Sequence, residues 1–264
     1  MGRCVRMRQD VRERIEAIAR DRMSGARELA GRAAEVLALA AAEDVRDAAL
    51  ALVEAQPAMA PMVNLARRAL AARDVPTACR EFLAEMDRAA ARVAGRGAAL
   101  IVDGMTVLTH SASATVFGAF RAARERGKRF AVIQTESRPQ REGVGQAGRL
   151  GALGIPVTLI ADAAVYRSMP RAQMVFVGAD AVSPRGVVNK TGTALVALAA
   201  SKLGVPIFAL CGREKFLPPD YELPPEAAHD PREILDCEIP NTRAENYYFD
   251  TTPLDYFTAI VTGD

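Results

Sequence analysis

"RFAVIQTESRPQREGVGQAGRLGALGIPVTLIA", residues 129 to 161, decides the predicted fold class. Two apolar runs, RFAVIQT and IPVTLIA, flank the helical segment GQAGRLGALG, and both are rich in Val and Ile, as parallel strands buried on both faces should be. Three further runs, AALIVDG, AQMVFVGA and VPIFALC, alternate with helical segments from residue 98 onward. This alternation of strand and helix predicts an α/β fold with a doubly wound parallel sheet.

The loops that follow these runs hold most of the reactive side chains of the chain. Right-handed crossovers place the carboxyl ends of parallel strands along one edge of the sheet, where ligands bind. The loops TESRPQREG, GADAVSPRGVVNKTGT and CGREKFLPP all begin at such ends. We therefore expect a ligand site at this edge.

The first 95 residues have a different pattern, with apolar positions three and four apart in segments such as GARELAGRAAEVLALAAAEDVRDAALALVEA. This periodicity favours helices, and Pro57, Pro61 and Pro76 divide them into several antiparallel ones. We predict a helical domain over residues 1–95 and a ligand-binding domain over residues 96–264, with the hinge in AGRGA, residues 94 to 98.

Composition argues against several classes of protein. A net charge of +2 gives no reason to expect a nucleic acid or a membrane as partner, and no apolar run is long enough for a membrane span. Cys4, Cys79, Cys211 and Cys237 are far apart and form no C-x-x-C pair. We therefore expect no metal, no cofactor and a cytoplasmic location.

Gly143, Gly145 and Gly148 have the G-x-G-x-x-G spacing of a dinucleotide-binding turn. Such a turn must directly follow its strand, yet ESRPQRE intervenes here after Thr135. One feature favours a dinucleotide: Asp162 follows the next strand, at a distance along the chain that suits the acidic residue which contacts the ribose. We predict that these glycines permit a tight turn and close helix packing, and that no nicotinamide or flavin binds.

Three loops offer residue types that suit a phosphorylated ligand. Arg138 can contact a phosphate bidentately, and Arg213 and Lys215 follow the last predicted strand. The segment NKTGT, with Asn189 and Lys190, begins a helix whose free N–H groups would favour an anion. Taken singly, each loop could simply cap a helix; the meeting of three at one edge favours a site.

Asp180 and the segment THSAS are the candidates for chemistry. Asp180 follows a strand, where apolar surroundings raise the pKa of a carboxyl group; it is either a general acid or base or a capping residue. His110, Ser111 and Ser113 open a predicted helix, at which hydroxyl groups are most often caps. Without a G-x-S-x-G elbow, a serine hydrolase is not favoured.

Several motifs occur together in one order: VLTHSASATV, VIQTESRPQREG, GIPVTLIADAAV, VFVGADAVSPRGVVNKTGT and NYYFDTTPLDYFTAIVTGD. With SGARELAGRAAEVL and QPAMAPMVN, they resemble the translation initiation factor 2B alpha/beta/delta family over nearly the whole chain. Ribose-1,5-bisphosphate isomerase and methylthioribose-1-phosphate isomerase share the fold of that family. The resemblance implies an N-terminal helical domain, a Rossmann-like second domain, and dimers formed through the latter.

The resemblance also implies roles for individual residues. In the isomerases a cysteine and an aspartate transfer protons; Asp180 matches the aspartate, whereas Ser111 stands at the cysteine position. The implied ligand contacts are Gly25, Ala26, Ser113, Ala114, Thr115, Asn189, Lys190 and Lys215, to which the loop argument above adds Arg138.

Two further departures fall at the phosphate end of the implied site. The isomerases usually have RGA where this chain has Ser24-Gly25-Ala26, and RPT where it has Gln56-Pro57-Ala58. Losing both arginines should weaken phosphate binding by about a hundredfold or more, unless Arg22 or Arg27 compensates.

Ser111 has the larger consequence for function, because an alcohol is a far weaker acid than a thiol and needs an adjacent base. We expect a protein that binds a sugar phosphate or nucleotide, in a regulatory role, as a homodimer or with a related subunit. The alternative is an isomerase of a phosphorylated pentose with Asp180 as acid or base. A third hypothesis is a structural subunit of a translation assembly with an empty pocket.

Overall fold

A computed structural model describes residues 7–22 and 24–264 of the chain; Cys4, considered above, lies outside them. The chain divides into two compact units. One lies within Met1–Arg88 and Glu214–Pro224, and the other consists of Ala89–Arg213 and Pro225–Asp264. We call them the helical unit and the sheet unit.

The described part of the helical unit is built from amphipathic helices. In α1, Val11, Ile15 and Ile18 form one buried stripe, at the spacing that places side chains on one helix face. Pro61 lies in the first turn of α4, where its missing N–H is tolerated. The helices are α1 (Gln9–Arg20), α2 (Ala26–Leu39), α3 (Val45–Ala55), α4 (Ala60–Ala71) and α5 (Val75–Leu100), of which α5 continues into the sheet unit.

The sheet unit contains a six-stranded parallel sheet in the order β3-β2-β1-β4-β7-β9. The strands of the chain are β1 (Thr106–Thr109), β2 (Ala131–Thr135), β3 (Val157–Ile160), β4 (Met174–Val177), β5 (Ala181–Ser183), β6 (Gly186–Lys190), β7 (Ile207–Leu210), β8 (Phe249–Thr252) and β9 (Ala259–Val261). Four helices connect them: α6 (Ala114–Glu125), α7 (Glu142–Ala152), α8 (Val165–Ser168) and α9 (Thr193–Leu203). The predicted α/β class with a Rossmann-like parallel sheet is confirmed.

The core of the sheet unit is apolar and aromatic. Phe120 of α6 stacks against Phe130 and against Phe176 of β4, with ring centroids 5.8 and 6.0 Å apart. Val107 and Val132 complete the same cluster from β1 and β2. This core fixes α6 on the sheet and, with it, the loop between β1 and α6. No helix in the described ranges is long and apolar enough to cross a membrane.

The predicted strand AALIVDG is wrong. Residues 98–100 are the last turn of α5, and the strand is the shorter TVLT of β1. The predicted hinge AGRGA also lies inside α5. A Cβ added at Gly97 would lie 2.7 Å from Leu210 Cδ2 and 2.8 Å from Ala119 Cβ. The glycine therefore permits close packing of a continuous helix rather than a bend.

The segment AVSPRGVVNK, which the sequence placed in a loop, forms a hairpin. Strands β5 and β6 pair antiparallel, and β6 also pairs with β8, which lies in the C-terminal segment NYYFDTTPLDYFTAIVTGD. The short strands lack the apolar alternation that marks longer ones. As a result, Asn189 and Lys190 are the last two residues of β6, and the pairing of β6 with β8 fixes their backbone.

The glycine triplet lies in α7, not in a turn that precedes the helix. A Cβ added at Gly143 would overlap the Thr135 carbonyl oxygen, whereas Gly145 and Gly148 face open space. The Gly143 N–H donates to the Glu136 carbonyl oxygen at 3.2 Å. Gly143 thus permits the close approach of α7 to the end of β2, as predicted for close packing.

Candidate functional site

The candidate site lies at the position where the strand order reverses. β1 has β2 on one side and β4 on the other, and open α/β sheets bind ligands outside the carboxyl ends of strands at such a point. A Cβ added at Gly178 would lie 2.6 Å from Ser113 Oγ and 3.7 Å from Asn189 Oδ1. Gly178 therefore lets Ser113, Asn189 and the turn that carries Asp180 come together. The Asp180 N–H donates to the Val188 carbonyl oxygen at 2.8 Å.

His110 joins the loops after β1 and β2 to the turn before α9. Its Nε2 lies 2.9 Å from the Thr191 carbonyl oxygen, which can only accept, so we assign the proton to Nε2. Its Nδ1 lies 2.7 Å from Thr135 Oγ1, and burial lowers the pKa of the imidazole because desolvation disfavours its charged form. At Nδ1, a neutral His110 accordingly accepts a hydrogen bond from the Thr135 hydroxyl group.

The rest of this chain of hydrogen bonds follows from that assignment. Thr135 Oγ1 accepts from Ser137 Oγ at 2.9 Å, and Ser137 Oγ accepts from the Ser111 N–H at 2.8 Å. His110 thus contacts the backbone of Ser111 through two hydroxyl groups and does not reach Ser111 Oγ. Its role is to position the loops.

Ser111 itself is held in an uncommon conformation. Its φ is 66°, and Ser137 (φ 65°) and Arg141 (φ 58°) in the neighbouring loop are also left-handed. Such backbone strain in non-glycine residues concentrates at functional sites. The Ser111 Oγ donates to Glu142 Oε1 at 2.8 Å, so its hydroxyl contacts a carboxylate and not the imidazole next to it in sequence.

Lys190 is paired inside the site. Its Nζ donates to Gln140 Oε1 at 2.9 Å, lies 3.2 Å from Glu142 Oε1, and stands 5.0 Å from the centre of the Tyr248 ring. The Lys190 and Glu142 side chains are only 6% and 16% exposed. Glu142 is not among the residues predicted from the sequence, although it lies in the loop TESRPQREG. The loop argument considered only cations that could bind a phosphate.

The start of α9 differs from the expectation that its N–H groups are free. The Asp250 carboxylate accepts the N–H groups of Gly192 and Ala194 at 2.8 and 3.2 Å through Oδ2. Desolvation raises the pKa of Asp250 to about 6. Asn189 Nδ2 donates to Thr193 Oγ1 at 3.0 Å. The chain's own carboxylate therefore occupies the position of an anion at this helix terminus.

Three other predicted contacts, Ala114, Thr115 and Arg138, lie in the sheet unit. Ala114 and Thr115 are the first residues of α6, which Ser113 caps by accepting the Val116 N–H at 3.3 Å. Arg138 is exposed and its guanidinium donates to the Glu233 carbonyl oxygen at 3.3 Å.

Asp162, weighed above as a ribose ligand, accepts the N–H groups of Ser137 and Arg138 at 2.8 and 2.7 Å. Its carboxylate therefore shapes the loop after β2.

Gly25, Ala26 and Lys215 belong to the helical unit. Gly25 and Ala26 begin α2, and the Gly25 carbonyl oxygen accepts from the first turn of that helix. Asn64 Nδ2 donates to the carbonyl oxygens on either side of Lys215, at 2.8 and 2.9 Å, and so holds this turn against α4.

The two arginines that could compensate, Arg22 and Arg27, are already engaged within the helical unit. Arg27 forms two hydrogen bonds with the Asp87 carboxylate, at 2.6 and 2.8 Å, and Arg22 donates to the Ala19 carbonyl oxygen at 2.5 Å. Gln56 is buried, and its amide Nε2 donates to the carbonyl oxygens of Ile18 and Asp21 at the end of α1. In the described residues these side chains serve helix termini and an ion pair.

Comparison with known proteins then identifies the family. The model of the initiation factor 2 subunit family, IF-2B, matches residues 4–263. The chain belongs to this family. A Pyrococcus horikoshii protein named translation initiation factor eIF-2B subunit 2-like is 37% identical over 265 residues, which cover 96% of this chain and 94% of that protein.

Relatives within the IF-2B family carry two kinds of name. A ribose 1,5-bisphosphate isomerase of Archaeoglobus fulgidus is 33% identical over 276 residues, covering 96% of this chain and 88% of the enzyme. Among solved structures, a Pyrococcus horikoshii translation initiation factor eIF-2B superposes with a TM-score of 0.86 at 34% identity, over 97% of this chain and 96% of the other. Family membership alone therefore leaves regulation and isomerisation both open.

Proposed function

We propose that this IF-2B family protein binds a phosphorylated small molecule, a sugar phosphate or a nucleotide, at the carboxyl edge of its parallel sheet. In this proposal its role is regulatory, and it does not perform the isomerisation that depends on cysteine. The observation that carries the proposal is the environment of Ser111. An alcohol replaces the expected thiol, and its hydroxyl group donates a hydrogen bond to Glu142 Oε1, which also contacts Lys190.

This arrangement makes Ser111 a poor acid and leaves it without an effective base. A thiol has a reference pKa near 8.5, whereas an alcohol needs an adjacent general base to react near neutrality. The Glu142 oxygen that accepts from Ser111 Oγ also lies 3.2 Å from Lys190 Nζ, so this carboxylate is already engaged in an ion pair. His110 is tied to Thr135 and Thr191, so it does not serve Ser111 either.

Ligand binding is supported by what the same edge retains. Asn189 and Lys190 are buried polar residues at the end of β6, and Ser113 lies against Gly178 beside them. The loops are held by a continuous set of hydrogen bonds, and such preorganisation is what a binding site needs. The free thiols of Cys79 and Cys237 support the cytoplasmic setting that belongs to this proposal.

Isothermal titration with ribose 1,5-bisphosphate, ribose 5-phosphate and AMP tests binding. We expect at least one to bind saturably, and Lys190→Met to weaken it by tenfold or more because a charge-assisted contact is lost. Lys202→Met, on the exposed part of α9, is the matched control and should leave the affinity unchanged. No binding across this panel contradicts the proposal.

A second candidate function is isomerisation of ribose 1,5-bisphosphate, which the 33% identity to a named isomerase over nearly the whole chain favours. Asp180 would be the acid or base and Ser111 a hydrogen-bonding residue. Turnover followed by NMR, and lost in Asp180→Asn, would establish this candidate. In Ser111→Cys, a gain of turnover would indicate that the site lacks only its thiol.

We also infer self-association, or association with a related subunit, through α9. Leu195 and Leu198 are 70% and 51% exposed, while Val196 and Ala197 on the same helix are buried. Neighbouring large apolar side chains exposed on one face of a helix are typical of a surface that contacts another protein. Sedimentation should show a dimer that Leu195→Glu dissociates, with Leu70→Glu, exposed on α4, as control. A monomer that binds a large partner instead would favour the structural-subunit hypothesis.

A further inference from the structure

The charge of Lys190 is already compensated within the chain. Its buried Nζ lies 3.2 Å from Glu142 Oε1, and no other carboxylate of residues 7–22 and 24–264 is in ion-pair contact with it. Its remaining contacts are uncharged, namely the Gln140 amide oxygen and the face of the Tyr248 ring. An incoming phosphate would therefore meet an ion pair and not a free ammonium group.

Glu142 in turn depends on Lys190. Its Oε1 accepts from Ser111 Oγ at 2.8 Å, and its Oε2 is buried without a hydrogen-bond partner among the described residues. A buried carboxylate is costly unless it is paired. A ligand anion that takes over Lys190 leaves this carboxylate without its cation and places two negative charges close together.

We propose that Glu142 is an internal counter-ion that competes with the ligand's anionic group for Lys190 and thereby determines which anions the site accepts. The inference rests on the proposed function, because it assumes that the ligand anion reaches Lys190. A ligand whose hydroxyl groups donate to the released carboxylate offsets part of the loss, whereas inorganic phosphate brings mainly charge. The site should therefore select a polyol phosphate over a bare anion.

Titration of Glu142→Gln with inorganic phosphate and with ribose 5-phosphate tests this inference. Glutamine has the same shape and can still accept from Ser111, but it carries no charge. We expect the affinity for inorganic phosphate to rise by about tenfold or more, since one repulsive charge is removed at close range, and the affinity for ribose 5-phosphate to rise by less. Glu142→Ala also removes the charge, so it should raise the affinities for inorganic phosphate and for ribose 5-phosphate, as Glu142→Gln does.

Two controls separate competition for Lys190 from a general change of charge. Glu136→Gln removes a carboxylate from the same loop, one that pairs with the exposed Arg141 at 3.2 Å, and should alter both affinities less than twofold. In a Lys190→Met background, Glu142→Gln should give no gain, because the contested cation is absent.

The outcomes are distinct for the two proposals. If the wild type binds and Glu142→Gln binds inorganic phosphate no more tightly, the counter-ion inference is overturned and the proposed function stands. If the gain persists without Lys190, the inference is likewise overturned. If neither probe binds the wild type or the Glu142 variants, the counter-ion inference is overturned, whereas the proposed function is decided by the titrations with ribose 1,5-bisphosphate and AMP.

Discussion

The helical unit and the candidate site use their ion pairs in different ways. Arg27 and Asp87 form a bidentate pair between α2 and α5 with both side chains open to solvent, at 42% and 59% exposure. Lys190 and Glu142 form a buried pair that shares its carboxylate with Ser111. Water screens the first pair, and little water reaches the second. Substitutions in the site should therefore cost more stability, and affect ligand binding more, than substitutions in the helical unit.

The largest effect should come from Gly143→Ala, because the new methyl group would overlap the Thr135 carbonyl oxygen. The atom it would overlap belongs to the backbone, so no flexible side chain can move aside. We therefore expect a loss of about 3 kcal/mol or more in the free energy of unfolding. Urea denaturation measures it. Gly145→Ala, two residues on and facing open space, should instead gain about 0.5–1 kcal/mol, as expected for alanine in a helix. Equal stability of the two variants would contradict the close approach of α7 to β2.

Thr135→Val should cost about 1–3 kcal/mol, since it leaves His110 Nδ1 and Ser137 Oγ without their common buried partner. The same substitution at Thr158, exposed on the neighbouring strand β3, should change stability by less than about 0.5 kcal/mol. Thermal and urea unfolding of both variants test the difference. A Thr135→Val protein as stable as the wild type would show that the His110 chain does not hold the loops.

Asp250 should make the stability of the protein depend on pH. Its pKa is raised from 3.8 to about 6 in the folded state, so the folded protein binds this proton more tightly than the unfolded chain does. The favourable contribution is therefore fully present below about pH 3.8 and is lost as the pH rises through 6.

Asp250→Asn removes this titration and can still accept a hydrogen bond from the start of α9. Between pH 5 and 7.5 the wild type should lose about 1–2 kcal/mol relative to the variant. Urea midpoints at the two pH values measure the difference. Parallel stability profiles of the two proteins would contradict the raised pKa.

The smallest effect belongs to the exposed pair. Arg27→Met should reduce stability by less than about 1 kcal/mol, although the Asp87 carboxylate holds the pKa of the guanidinium above its ordinary value and Arg27 lowers that of Asp87. Because the Arg27 guanidinium is engaged with Asp87, the affinity for a phosphorylated ligand should stay within twofold. A larger loss of affinity would mean that Arg27 replaces one of the missing family arginines.

Sequence patterns predicted the elements that are long and strongly apolar. RFAVIQT, IPVTLIA, AQMVFVGA and VPIFALC contain β2, β3, β4 and β7. The reason for β2, β4 and β7 is that buried parallel strands are apolar on both faces, whereas β3 is an edge strand with Thr158 and Leu159 exposed. The errors fell on short elements. The apolar run AALIVDG predicts a strand, but Ala98 to Leu100 form the end of α5, and β1 begins only at Thr106. A short apolar run does not by itself distinguish a strand from the buried end of a helix.

The candidate site was predicted less completely than the fold. Ser111, Ser113, Asn189 and the Asp180 turn lie together in the sheet unit, but Glu142 was missed and the N–H groups at α9 were expected to be free. In both cases a carboxylate of the chain itself contacts the group that was expected to bind a ligand. Glu142 pairs with Lys190, and Asp250 accepts from the N–H groups at the start of α9. A sequence motif names residue types and does not show which of them pair.

The sequence alone determined the α/β class, the family, and the replacement of a thiol by the Ser111 hydroxyl, because these depend on local periodicity and on the identity of single residues. Only the tertiary structure decided that Lys190 faces Glu142, that Asp250 caps α9, and that His110 contacts Thr135 instead of the Ser111 hydroxyl. These contacts join segments far apart in the chain, and their energies depend on distance and burial, which exist only once the sheet has formed.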